Sequence, residues 1–417
     1  MNYSKKYIII TPRITNMGGA QMYVRNKNIY MQENGWDVEI ISTQKGMIYI
    51  GDLQKFDCVI PELGFNIYLY PESKQNRILN NIINRVLQKH YDEIIIESTC
   101  TAESTWAEVL AHKIGAKHFF FNLQEQDVVK SQIIQDFLRF KYNRRELVGI
   151  APTSLYNLFL PFAPINIDKS YRLPAYCNNV VEDIECPLLK EINTTNYDYV
   201  VGCLSRLDKP FIMPALNDFI IYLNKHTDKK YLFLMIGGAP EGSSYEQKIR
   251  DLFKNISNVD IIITGYMFPI PSKLLDICNA FFTSAGSVWV CMRSGIPTIS
   301  YDANDFRPIG IIGRTTQNAL MRADNEPEQD FSQLMDDILE NIKYGKEPQI
   351  QQINKPDFSS HDEFIKSMLS QREYFSFDNA KKNKQEKILS ACLWLIGAEN
   401  YKKLGTWKKK LLTNIRR

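Results

Sequence analysis

Short apolar runs recur along the chain, separated by longer amphipathic stretches. In the first part they read "YIIIT", "DVEIIS", "EIIIES", "KHFFFN" and "VGIAPT". In the second part they read "DYVVGCL", "YLFLMIG", "VDIIITG", "AFFTS" and "PTISY". Most carry apolar side chains at successive positions, so both faces of the strand are buried, as when helices cover a parallel sheet on both sides. The stretches between have helical period; "MYVRNKNIYMQENG" closes on Gly35, a C-terminal stop signal. Regular strand–helix alternation predicts an α/β architecture.

The alternation breaks twice. Between Pro174 and Asn196 the chain is polar and aperiodic and reads as a linker. A second break runs from Tyr344 to Phe358, followed by a predicted helix, "SSHDEFIKSMLSQREYF", opening on a serine cap with acidic residues in its first turn. The expected organisation is a domain over 1–175, a second over 196–350, a helix within 358–378 returning to the first domain, and a tail over 380–417. Two doubly wound domains facing each other leave a cleft beyond the carboxyl ends of their strands, and the loops there are where ligands bind.

With 417 residues the chain exceeds one compact core, in keeping with two domains. Its formal charge is +3, yet eleven Lys and Arg against two Glu fall after residue 379, so the body is acidic. A basic tail on an acidic body excludes the usual footprint of a nucleic-acid binder. The eight cysteines are scattered without a C-x-x-C pair, as expected of reduced core thiols. The apolar stretch after Lys5 and Lys6 is too short for a signal peptide, and no segment reaches about 18 uncharged apolar residues, so a cytoplasmic location is expected.

Four loops follow strands and suit an anionic ligand. In "ITNMGGAQ", Gly18 and Gly19 precede a helix start near Gln21; two adjacent glycines let something approach the backbone, or simply turn it. "GCLSRLDKPF" carries Arg206 and Lys209, a pair able to neutralise a diphosphate. "IGGAPEG" offers Gly237 and Gly238. In "TSAGSVWVCMRSGIPTI" a strand ends in small residues and a helix begins, so the amides of Gly286, Ser287 and Val288 are placed to cradle phosphate oxygens. Glu97 is suited either to capping a helix or to meeting a ligand hydroxyl, whereas Asp302, Asp305, His112 and His118 read as structural.

In this order the Gly18–Gly19 loop, the Arg206–Lys209 loop, the "IGG" strand end and "GIPTI" resemble the family-four retaining glycosyltransferases of GT-B fold (glycosyl transferases group 1), over about residues 6–320. The resemblance implies two Rossmann-like doubly wound parallel-sheet domains facing a central cleft. It also implies transfer of a sugar, with retention and without a metal or other cofactor, from a nucleotide-sugar donor to a glycan or lipid-linked acceptor. Glu125 then stands as a base or sugar contact in the first domain. The chain departs from the family pattern in three ways. Val290 stands where the second of two glutamates falls and no carboxylate stands for the first, "NLQEQD" replaces a histidine loop, and Arg206 and Lys209 are two residues closer than usual. A catalytically silent GT-B partner of an active transferase therefore remains open; a nucleotide-sugar epimerase on the same fold would need acidic residues around the sugar that this chain lacks. Abundant Asn, Ile and Lys fit an AT-rich bacterial genome, and surface polysaccharide synthesis is then the expected setting. The tail, with "ILSACLWLI", Trp407 and Lys408–Lys410, suits either an anionic membrane surface or a helix packed on the first domain.

Overall fold

The computed structural model describes residues 4–124, 127–160, 166–177, 179–349, 356–368 and 373–415, with side chains as far as 405. The first lobe runs β1 (Lys5–Thr11), α1 (Gly19–Glu33), β2 (Trp36–Ser42), α2 (Glu72–Val86), β3 (Glu93–Ser98), α3 (Thr101–Ile114), β4 (Lys117–Asn122), α4 (Gln132–Asn143), β5 (Leu147–Gly149) and α5 (Pro152–Phe159). A connecting stretch holds β6 (Val181–Glu182) and α6 (Leu188–Glu191). The second lobe follows as β7 (Tyr199–Leu204), α7 (Ile212–Lys225), β8 (Tyr231–Ile236), α8 (Tyr245–Phe253), β9 (Val259–Ile263), β10 (Ile270–Pro271), α9 (Ser272–Asp276), β11 (Ala280–Thr283), α10 (Gly286–Arg293), β12 (Thr298–Tyr301), β13 (Pro308–Ile311) and α11 (Phe331–Leu339). Last come α12 (Ser359–Met368) and α13 (Lys384–Ile415).

The first sheet has the order β2-β1-β3-β4-β5, parallel throughout. The second has the order β13-β12-β11-β7-β8-β9, parallel except for β13 at its edge. Strand side chains alternate between faces, and here both faces are apolar. Tyr7 and Ile9 of β1 pack beneath α1, while Ile8 and Ile10 pack on the opposite face with Trp106 of α3. Phe233 and Met235 of β8 likewise face α7, and Leu232, Leu234 and Ile236 face the α9–α10 side. This double burial is why the strands read as continuous apolar runs.

Strand order reverses between β1 and β3 in one sheet and between β7 and β11 in the other. At each reversal the flanking helices leave on opposite faces, and a crevice opens at the strand ends. The crevices of the two lobes face each other.

The chain then returns to the first lobe. Phe358, Ile365 and Met368 are buried under β1 and β4. Burying each contributes about 1.5–3 kcal/mol. His361 sits fully buried, its Nε2 2.9 Å from the Pro174 carbonyl. Phe377 and, on α13, Leu393 and Ala398 pack on the other face of the sheet. Among the described residues no helix is long and apolar enough to cross a membrane.

Several expectations change. The predicted linker is not featureless: β6 pairs with β10, and Cys186 is buried against β7 and β8. The run "VGIAPT" yields only a three-residue strand, because Pro152, which has no N–H for a sheet ladder, opens α5 instead. The antiparallel edge strand β13 went unread because "PIGI" is too short to show a period. Of the helix predicted through Phe375, α12 covers Ser359–Met368, residues 369–372 lie outside the described residues, and Glu373 to Phe375 are not helical.

Candidate active site in the interlobe cleft

A cavity of about 700 Å³ lies between the lobes, lined by loops from the carboxyl ends of β1, β4, β7, β8, β9, β11 and β12. Of the residues singled out in the sequence, Gly18, Gly19, Arg206, Lys209, Gly237, Gly286 and Ser287 all line it. They come together because β11 pairs with β7 and β7 with β8, which places the three second-lobe loops side by side.

Arg206 occupies the middle. Its Nε and Nη2 donate to the Asp208 carboxylate at 3.0 and 3.2 Å, a two-pronged grip that holds the guanidinium in one orientation. Nη1 is turned across the cleft: a Cβ built on Gly18 would lie 3.0 Å from it and 3.1 Å from Gln21 Oε1. Gly18 has extended backbone, which any residue adopts, so glycine is needed there for space alone. A Cβ on Gly19 would make only an ordinary 3.5 Å contact with Cys177. The first glycine, not the second, keeps the loop thin, and what it admits is the arginine of the opposite lobe. Lys209 is exposed on the rim.

Gly237 holds the Arg206 loop. Its φ of +148° is uncommon for residues with a side chain, and a Cβ would fall 1.9 Å from the Ser205 carbonyl oxygen. The backbones are laced there by Ser205 N to Ile236 O at 3.0 Å and Leu207 N to Gly238 O at 3.1 Å. Gly238 itself lies behind the cavity wall; a Cβ on it would meet the Tyr266 ring at 2.7 Å.

Gly286 and Ser287 form the first turn of α10, whose leading amides have no acceptor within the helix. The turn is anchored by Ala285 N to Ala319 O at 2.7 Å and Ser284 Oγ to Tyr301 O at 2.7 Å. Val288 does not belong with them. Its amide already donates to Ala285 O, and its side chain is fully buried against Ile312 and Ala319.

The remaining candidates separate cleanly. Glu125 lies outside the described residues. Its neighbours Gln124 and Asp127, not singled out as site residues in the sequence, line the cavity; Asp127 accepts from Thr101 Oγ1 at 2.8 Å. Glu97 neither caps a helix nor reaches the cleft: it is fully buried and accepts from the Tyr7 and Tyr23 hydroxyls, and burial raises its carboxyl above the ordinary range. His118 is buried between Ser98 and Glu108, and burial with the charge of Lys141 pulls it down to about 4. His112 stacks on Tyr374 with ring centroids 4.9 Å apart. Asp302 holds its own loop by accepting from the amides of Asn304 and Arg322. Asp305 accepts from the Arg307 amide at 2.9 Å.

The pattern also missed the contacts that join the lobes beside the cavity. Tyr266 packs on Tyr49 of the first lobe with centroids 4.7 Å apart. Arg25 lies over the Phe268 ring at 5.1 Å. No spacing rule links residues so far apart in the chain, and a loop aromatic carries no periodic signal.

No family model and no curated protein matches the chain. Solved structures do. The chain is similar to a glycosyltransferase from Rickettsia africae at 15% identity, with 88% of this chain and 95% of that chain covered and a TM-score of 0.53. It is also similar to the N-terminal domain of trehalose-6-phosphate phosphatase from Candida albicans at 10% identity, covering 94% and 96%, with a TM-score of 0.51. At these identities the likeness is one of fold. The chain has the GT-B fold, two Rossmann-like lobes across a cleft.

Proposed function

We propose that the chain is a glycosyltransferase, moving a sugar from a nucleoside-diphosphate donor to a glycan or lipid-linked acceptor of a bacterial surface polysaccharide. The observation that carries this reading is that Arg206 and the first turn of α10 line one and the same cavity. Both stand at the ends of paired strands where the sheet order reverses. As the glycosidic bond breaks, negative charge grows on the departing diphosphate. A fixed guanidinium, a rim lysine and free helix amides stabilise that charge without having to reorganise. In this reading they carry the charge that a metal carries in other transferases, and the sugar leaves with retention of configuration. The similarity to a glycosyltransferase fold supports the class of reaction, and the residue chemistry supports the leaving group.

The test is thermal shift against UDP-, GDP- and dTDP-sugars, followed by donor hydrolysis. At least one nucleotide sugar is expected to stabilise the protein. Charge-assisted hydrogen bonds contribute about 1.5–3 kcal/mol each, so Arg206→Ala should weaken binding roughly 10- to 100-fold. Absence of any shift with all three would overturn the reading and favour a silent partner of another transferase.

A further inference from the structure

A second cavity, of about 550 Å³, opens in the first lobe at the ends of β1, β3 and β4. Gln124 and Asp127 border both it and the interlobe cleft, so the two spaces adjoin. Its outer wall is α13, which contributes Glu386 and Lys402. On the inner wall Glu103, in the first turn of α3, is only 3% exposed, and burial pushes its carboxyl up to about 7. A carboxyl poised there both donates and accepts hydrogen bonds near neutral pH. With Cys100, Gln124 and Asp127 beside it, the wall has the dense mixture of donors and acceptors that suits a polyhydroxyl group.

The far side of the same helix is apolar and uncovered. Leu393 and Ala398 face the lobe and are buried, whereas Trp394 and Leu395 are each 69% exposed and Ile388 and Leu404 more than half exposed. The helix breaks at Gly397 (φ +77°), next to these residues, and a shallow groove there is lined by Leu395, Ile396 and Leu404. Lys381, Lys384, Lys387 and Lys403 are exposed around them, and beyond residue 379 eleven basic residues stand against two acidic ones. Protein interfaces are depleted in lysine, but apolar side chains ringed by lysine match an anionic bilayer surface.

We propose that α13 lies on an anionic membrane and that the cavity behind it receives the polyhydroxyl head of an acceptor whose apolar tail stays in that membrane. This rests on the transferase reading and narrows its acceptor to a lipid-borne one. One element then does two things: its outer face meets the bilayer and its inner face walls the acceptor space next to the donor cleft.

The test uses the full chain. Co-sedimentation with phosphatidylcholine vesicles containing about 30% phosphatidylglycerol, against phosphatidylcholine alone, reads the outer face. Binding is expected only to the anionic vesicles and should fall at least tenfold in W394E/L395E, whose exposed positions leave the fold and the nucleotide-induced thermal shift intact. Hydrogen exchange with octyl glucoside, below its micelle concentration, reads the cavity. Octyl glucoside should protect residues 100–104 and 385–402, glucose at the same concentration should not, and Glu103→Gln should remove the protection near residue 103 while keeping the melting temperature. Equal binding to both vesicles, equal effects of glucose and octyl glucoside, or protection confined to the outer face would each overturn the proposal. Loss of the transferase reading shows separately, as absence of any nucleotide-induced shift in the wild type.

Discussion

Gly18→Ala isolates the contact between the lobes. The added methyl would stand 3.0 Å from Arg206 Nη1 and 3.1 Å from Gln21 Oε1, both ends of side chains that can move. The fold should therefore survive with a stability change under about 1 kcal/mol. The guanidinium must retreat a few tenths of an ångström while Asp208 still holds its other edge. A charge-assisted hydrogen bond contributes about 1.5–3 kcal/mol, and losing a third to a half of one costs about 1 kcal/mol, or roughly fivefold in affinity. The assay is titration calorimetry with whichever nucleoside diphosphate stabilises the wild type, beside a melting curve. Gly19→Ala is the control: the new methyl makes an ordinary contact with Cys177 at a helix start, so affinity should be unchanged. In an Arg206→Ala background the Gly18→Ala effect should vanish, because the group it displaces is gone. If Gly18→Ala binds like the wild type, or its loss persists without Arg206, then Arg206 is not the group that the loop is thin for.

Gly237→Ala should be far more damaging than Gly18→Ala. A strained φ costs about 1–3 kcal/mol, and the clash is with the Ser205 backbone, so chemical denaturation should show a loss of about 3 kcal/mol or more. Lys27 is buried over the rings of Tyr7, Tyr30 and Phe358, its ammonium without a hydrogen-bond partner among the described residues, and burial lowers it to about 8. The unfolded chain therefore holds that proton when the folded one has lost it, so stability should rise between pH 8 and 10.5, and Lys27→Met should flatten this rise. His118, held down to about 4, acts in the opposite pH range: the unfolded chain takes up its proton near 6.5, so stability should fall from pH 6.5 toward 4. Glu108, which burial would raise but Lys141 and His118 pull down to about 2, extends that loss below pH 4.5. Denaturation midpoints unchanged between pH 7 and 4 would contradict the His118 assignment, and midpoints unchanged from pH 4.5 toward 2 would contradict that of Glu108.

Parallel strands buried on both faces need apolar residues at successive positions, and that requirement is local. It is why β3 and β4 could be read residue for residue, and why the alternation pointed to two doubly wound lobes. Arg206, Lys209 and the start of α10 were legible as well, since position at a strand end and residue type are both written in the chain. What each side chain touches was not. Whether Gly18 or Gly19 makes room for the opposite lobe depends on where an arginine of that lobe lies, and no spacing in "NMGGAQ" contains that distance. Val288 looked like its neighbours until the helix turned its side chain into the core, and Glu97 looked like a site residue until two tyrosines closed over it. Asp127 and Tyr266 reached the cleft only through packing of loops remote in sequence. Local periodicity therefore determined the elements and their order, while long-range packing alone decided which residues share the cleft, because contact between lobes depends on three-dimensional placement that a one-dimensional pattern does not carry.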